Sequence, residues 1–149
     1  MTARQRVAGI GGVFFKARDP HKLAAWYHEQ LGVPIDAGET YGRFVADKKG
    51  TDATGAPVEI VWSVMLATTG YFAPSESTLM MNYRVVDLDA MLAQLRAAGG
   101  WVDDKVEASE NGRFGWAMDP EGNKFELWQP PEGGCPADGG VVPISRLTR

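Results

Sequence analysis

The chain has 149 residues, 44% of them hydrophobic and 23% charged; that is enough apolar material to bury a core and too little charge for a chain that stays disordered throughout. Its net charge of -4, with lysine and arginine scattered along the chain, offers no basic stripe to a nucleic-acid backbone. Cys135 is the only cysteine, which excludes an intrachain disulfide and a zinc site built on thiolates, and no apolar run approaches the roughly 20 residues of a membrane helix.

These features predict a cytoplasmic protein with neither nucleic acid nor membrane as a partner. The opening stretch "MTARQRVAGIGGVFFKARDP" puts basic residues before an apolar run, as a signal peptide does. Lys16, Arg18 and Asp19 interrupt that run and no small-residue cleavage site follows, so it reads as a strand. Asp19 and Pro20 then supply an N-cap and a proline at the first helical position. Leu23, Trp26, Tyr27 and Leu31 recur at helical spacing, and Gly32 stands where a left-handed cap is wanted. Three short strands follow, "VPID", "YGRFVAD" and "PVEIVWSVML", with "KKGTDATGA" as a loop.

A second loop, "TTGYFAPSES", leads to the strand in "TLMMNYRVV". Asp87 caps the next helix, whose buried face carries Leu88, Met91, Leu92 and Leu95 and whose end is marked by Gly99 and Gly100. The strands "WVDDKV", "GRFGWAM" and "NKFELWQ" complete the pattern. "DPEGN" turns the chain between the last two, with Pro120 pre-set for a turn and Gly122 or Asn123 able to take positive φ. Residues 13–33 laid over 81–101 share one plan, so the order βαβββ occurs twice: module one spans about 7–77 and module two about 78–130, in one domain covering 1–149. The Pro- and Gly-rich tail 131–149 is either an arm packed on the body or a partner chain, or a mobile end, with Val141, Val142 and Ile144 as its only anchors.

The doubled module, the Asp-started helix in each and the closing "DPEGNKFELWQP" resemble the vicinal oxygen chelate superfamily, which includes glyoxalase I, bleomycin-resistance proteins and extradiol dioxygenases. The resemblance covers about residues 7–130. It implies an α+β fold in which two βαβββ modules form a half-barrel with its site in the cleft, and it implies a homodimer. Metal-dependent members carry a ligand, usually His, on the first strand of each module and one, usually Glu, on the last. Glu126 matches the last-strand position of the second module, and Glu59, in "PVEIVW", that of the first. The histidine positions are held by Gly12 and Met80, neither of which supplies an imidazole. His21 and His28 lie on the first helix, outside the strand positions. No cofactor and no metal are therefore expected; the alternative is that Glu59 and Glu126, with waters, hold Mg²⁺ or Mn²⁺ weakly.

Alternation along a strand puts Lys124, Glu126 and Trp128 on one face and Phe125 and Leu127 on the other. The same rule groups Phe14 and Lys16 with Gly12, Asn82 and Arg84 with Met80, and Val61 and Ser63 with Glu59; a one-residue slip inverts each set. A buried carboxylate needs a partner, and Arg84 or Lys16 is the expected base for each glutamate. Against this stands a plainer reading, in which Trp62, Trp116, Trp128, Phe114 and Tyr83 are strand core and Glu59 sits on an edge strand. The resemblance and the cleft composition together predict a small-molecule binder of the bleomycin-resistance kind, with Phe14, Asn82, Arg84 and Trp128 as ligand contacts and a preference for amine-bearing compounds. The alternative is a divergent glyoxalase-like lyase or isomerase, in which Glu126 or Glu59 is a general base.

Overall fold

A computed structural model describes residues 4–45 and 50–134. Both expected helices form where their caps stand. The Asp19 carboxylate accepts the Lys22 backbone N–H at 3.1 Å, Pro20 opens helix α1 (Pro20–Leu31), and Gly32 closes it at φ 70°. Asp87 accepts the Ala90 N–H at 3.0 Å at the start of α2 (Leu88–Ala97). Each cap satisfies a backbone donor that the first helical turn cannot.

Seven strands complete the structure: β1 (Val7–Ala17), β2 (Tyr41–Val45), β3 (Glu59–Leu66), β4 (Leu79–Val85), β5 (Glu107–Ser109), β6 (Gly112–Met118) and β7 (Lys124–Gln129). They form one curled sheet in the order β2-β3-β1-β4-β7-β6-β5, a half-barrel of the α+β class. β1 and β4 pair antiparallel at its centre; β3 joins β1 in parallel on one side as β7 joins β4 on the other. This doubled arrangement is the internal repeat. The strand expected at "VPID" shrinks to a bridge between Ile35 and Gly42, and that at "WVDDKV" to a bridge between Val102 and Ala117. Pro34, next to the first bridge, has no N–H with which to extend the ladder.

Alternation sorts the side chains as expected. Leu127, with Phe125 packed against it, joins Leu88, Met91 and Leu92 beneath α2. Trp62 and Val64 pack with Ala24 beneath α1, where the Trp62 ring meets Phe15 and Tyr27, each at 5.0 Å. The concave face carries Phe14, Val61, Met65, Met80, Phe114, Trp116 and Trp128 in a third cluster. The five aromatics left open above thus divide: Trp62 and Tyr83 lie on the helix side, and Phe114, Trp116 and Trp128 on the concave side. No helix among the described residues is long and apolar enough to cross a membrane. Cys135, Val141, Val142 and Ile144 lie outside the described residues.

Candidate functional site

The centre of the concave face is built on a bulge in β1. Pairing with β4 shifts between Ile10, opposite Tyr83, and Gly12, opposite Asn82, so that Gly11 is the extra residue. A Cβ on Gly11 would lie 2.2 Å from Asn82 Oδ1 and 2.9 Å from both Arg84 Cγ and Trp128 Cε3. Only glycine leaves the Asn82 side chain its place there. A Cβ on Gly12 would meet the Val61 carbonyl oxygen at 3.0 Å, so the position that the resemblance assigns to an imidazole is closely walled.

That placement of Asn82 serves Glu126. Asn82 and Glu126 are neighbours on β4 and β7, as Trp116 and Glu126 are on β6 and β7. Glu126 is fully buried; Asn82 Nδ2 donates to it at 2.7 Å, Trp116 Nε1 at 2.9 Å, and the Tyr71 hydroxyl donates as well. Hydrogen bonds to a carboxylate are stronger than neutral ones, and three of them offset much of the cost of burying the charge.

The bases expected beside the glutamates are engaged elsewhere. Arg84 Nε donates to Asp52 at 2.6 Å and its Nη2 to the Pro57 carbonyl at 2.9 Å, while its guanidinium carbon lies 5.0 Å from the centre of the Trp128 ring. Lys16 Nζ sits 5.0 Å from the Phe72 ring centre. Glu59 takes its ion pair from Arg43, at 3.0 Å. Asp52, whose part in this was not legible in its loop, is raised by burial but lowered by more through hydrogen bonds from Arg84 and Thr54 and the Arg84 charge. Its carboxyl is held below the usual range.

The two glutamates are also not equivalent in register. Glu126 lies opposite Asn82 of β4, whereas in the matching β1–β3 ladder Gly12 lies opposite Val61 and Phe14 opposite Ser63. Glu59 precedes both and pairs with Val45 of β2 at the start of β3. The local likeness of "VEI" to "FEL" does not carry over into strand pairing.

The segment 67–78, which contains the expected connecting loop 68–77, folds back over the concave face as a strap. The Ala67 N–H donates to the Ala17 carbonyl at 2.7 Å and the Lys16 N–H to the Thr78 carbonyl at 3.0 Å, pinning both ends to β1. Between them Phe72 inserts, fully buried, into the concave cluster, and Lys124 Nζ donates to the carbonyls of Tyr71 at 2.7 Å and Ala73 at 2.9 Å. Phe14, Asn82, Arg84 and Trp128, the expected ligand contacts, are all buried, each at most 1% exposed, with Arg84 held by residues 52–57 rather than by the strap. Trp128 stacks on Phe114 at 6.0 Å and donates its Nε1–H to the Asn111 carbonyl at 2.8 Å.

Two of the Glu126 partners, Tyr71 and Trp116, wall a pocket of about 250 Å³, lined also by Gly70, Asp103, Lys105, Glu107 and Lys124. The edge of Trp116 faces the Tyr71 ring there at 6.3 Å. Asp103, Lys105 and Glu107 carry no sequence signal that marks them as site residues. The signal for Tyr71 is slight, an aromatic pair set between the glycine and proline of "GYFAP".

A divalent cation does not fit the donors at the centre of the sheet. Asn82, Trp116 and Tyr71 present hydrogens to Glu126, Gly12 and Met80 offer neither nitrogen nor oxygen side chains, and Glu59 belongs to another part of the ladder. His21 is exposed on α1, and His28 Nδ1 bonds the Val33 carbonyl at 2.9 Å. Among the described residues no three His, Cys, Asp or Glu side chains converge.

The family model described as "Glyoxalase-like domain" matches residues 12–128. No curated protein matches the sequence. Among solved structures, methylmalonyl-CoA epimerase from Mycobacterium tuberculosis is similar at 22% identity, over 88% of this chain and 93% of that one, with a TM-score of 0.54. A Streptomyces coelicolor methylmalonyl-CoA epimerase variant in complex with 2-nitronate-propionyl-CoA is similar at 16% identity, over 88% and 100% of the chains, with a TM-score of 0.59. An NAD-dependent benzaldehyde dehydrogenase from Legionella pneumophila is similar at 16% identity, over 78% and 96%, with a TM-score of 0.52. At such identities the likeness is one of fold.

Proposed function

The chain belongs to the glyoxalase-like domain family, and on that premise we propose that it binds a compact, amine-bearing small molecule in the pocket against Tyr71 and Trp116, without a metal. The observation that carries this reading is that Tyr71 and Trp116, both hydrogen-bonded to the buried Glu126, also wall the pocket. A ligand stacked on those rings is thereby coupled to the acid that orients them. Asp103 at the same pocket offers a carboxylate to an amine, whereas Glu107 is already paired with Lys105 at 2.8 Å, and the two rings add apolar and cation-binding surface.

Thermal-shift and calorimetric titration with amine-bearing compounds, with and without EDTA, tests the proposal. The expected result is a rise in Tm that grows with ligand concentration, is indifferent to EDTA, and weakens in Asp103→Asn. A ligand response abolished by chelation, or no response from any amine, refutes it.

A second reading is favoured by the Tyr71 hydroxyl on Glu126, a pair able to pass a proton to or from a bound carbonyl compound. In that reading the protein is a divergent isomerase or lyase with Glu126 as base, and acyl-CoA thioesters such as methylmalonyl-CoA are the first candidates. Solvent deuterium exchange at the carbon next to the carbonyl, lost in Tyr71→Phe, is its signature. The proposed assembly is a homodimer in the cytoplasm, and light scattering checks the assembly.

A further inference from the structure

The geometry points to a second ligand site, a groove between the end of β1, the start of α1 and the two ends of the strap, that takes an anionic molecule with a flat aromatic ring, of which a nucleoside phosphate is the type. The groove, of about 920 Å³, is lined by Lys16, Arg18, Asp19, Lys22 and Trp26 among others. Its charge runs against that of the whole chain, which is -4: three cations stand there with one carboxylate. That carboxylate, Asp19, is turned to its own helix, where Oδ1 accepts the Lys22 N–H.

The state of the cations is the second argument. Arg43, Arg84, Lys105 and Arg113 are each held by a carboxylate within 3.0 Å, and Lys124 by two carbonyls. The side chains of Lys16, Arg18 and Lys22 have no hydrogen-bond or ion-pair partner among the described residues, Lys16 resting only on the Phe72 ring, and all three line one groove. An anion entering there finds positive charge not already spent on internal pairs, at the edge of a low-dielectric wall where field lines concentrate.

The third argument is Trp26. It is 51% exposed, more than any other tryptophan: Trp101 is 38% exposed, and Trp62, Trp116 and Trp128 are buried to 9% or less. Tyr27 meets the indole edge-on at 5.2 Å and backs it from one side. Trp26 follows Lys22 by one helical turn, so ring and ammonium lie on one face of α1. A flat ring laid on the indole places an attached phosphate or carboxylate within reach of Lys22 and Arg18. Ala17, Leu23 and Ala67 give the groove an apolar floor.

Calorimetric titration of the whole chain with ADP, AMP, adenosine and inorganic phosphate tests the assignment. ADP is expected to bind more tightly than AMP, and both more tightly than adenosine or phosphate alone. Raising the salt from about 0.05 M to about 0.5 M weakens ADP binding several-fold, because these exposed charges are screened. Arg18→Ala/Lys22→Ala lowers ADP affinity by roughly tenfold or more, and Trp26→Ala by roughly fivefold. These side chains are exposed, so circular dichroism and Tm should match the parent. Absence of saturable ADP binding at millimolar ligand, ADP affinity retained in Arg18→Ala/Lys22→Ala, or adenosine binding as tightly as ADP each overturns the site.

Discussion

Glu126→Gln tests the central acid with the least change of shape. The parent carboxylate has Asn82 Nδ2 on Oε1 at 2.7 Å, and Trp116 Nε1, at 2.9 Å, together with the Tyr71 hydroxyl on Oε2. A glutamine has one acceptor oxygen. With that oxygen toward Trp116 and Tyr71, its NH₂ faces the Asn82 NH₂, donor against donor. Asn82 can turn its amide over, since its Oδ1 has no hydrogen-bond partner among the described residues, but its NH₂ then takes the place of that unpartnered oxygen beside Gly11 and Trp128. One buried donor is stranded either way, and the remaining bonds lose their charge assistance, so the expected cost is about 2–4 kcal/mol.

Asn82→Asp alone sets two carboxylates against each other and costs at least as much. Combining Asn82→Asp with Glu126→Gln restores the match, because the new glutamine takes Trp116 and Tyr71 on its oxygen and donates its NH₂ to the new aspartate. Urea unfolding measures all four proteins. With a slope of about 1–3 kcal/mol/M, each single substitution moves the midpoint by roughly 1 M or more, and the double variant recovers at least about 1 kcal/mol over the sum of the singles. A Glu126→Gln protein that unfolds at the parental midpoint, or a double variant equal to the sum of the singles, refutes this account of the buried acid.

Asp52→Asn leaves Arg84, 1% exposed, without its counter-charge and is expected to cost about 3 kcal/mol or more. Because the folded Asp52 carboxyl lies below its ordinary value of 3.8, its stabilisation is present above that pH and is lost as pH falls through the lower folded value. Unfolding of parent and variant should therefore differ most near neutrality and converge in acid; a difference that stays constant down the acid limb contradicts the assignment. Gly11→Ala drives a Cβ into Asn82, Arg84 and Trp128 and is expected to lower stability by about 1–3 kcal/mol. Gly70→Ala, whose Cβ meets nothing within 4 Å, is the neutral control, and equal Tm values for the two variants contradict the close approach. Tyr71→Phe removes one donor from Glu126 and loosens the strap, which hydrogen exchange at the amides of residues 71–73 should report as faster opening at a cost of about 1–2 kcal/mol. Unchanged exchange there implies that the hydroxyl does not hold the strap.

Much of the fold was legible because it depends on rules acting over a few residues. Capping by Asp19 and Asp87 placed both helices, and period-two alternation assigned Glu126 and Trp128 to one face and Leu127 to the other before any strand was paired. Those rules also say why Glu126 is tolerated in an apolar strand: it faces the curled side of the sheet. They do not say who meets it there. Tyr71, Asn82 and Arg84 find Glu126, Glu126 and Asp52 across 55, 44 and 32 residues of chain, and such meetings depend on sheet closure, on the Gly11 bulge and on where the strap falls. Local likeness therefore paired Glu59 with Glu126 although the ladders do not, and a Gly- and Pro-flanked stretch read as a linker became the cover of the concave face. Elements and their faces follow from the local order of residues, because side-chain direction follows from backbone period. The partners of the buried charges come with the closed sheet, because a carboxylate takes whichever donors that closure brings within about 3 Å.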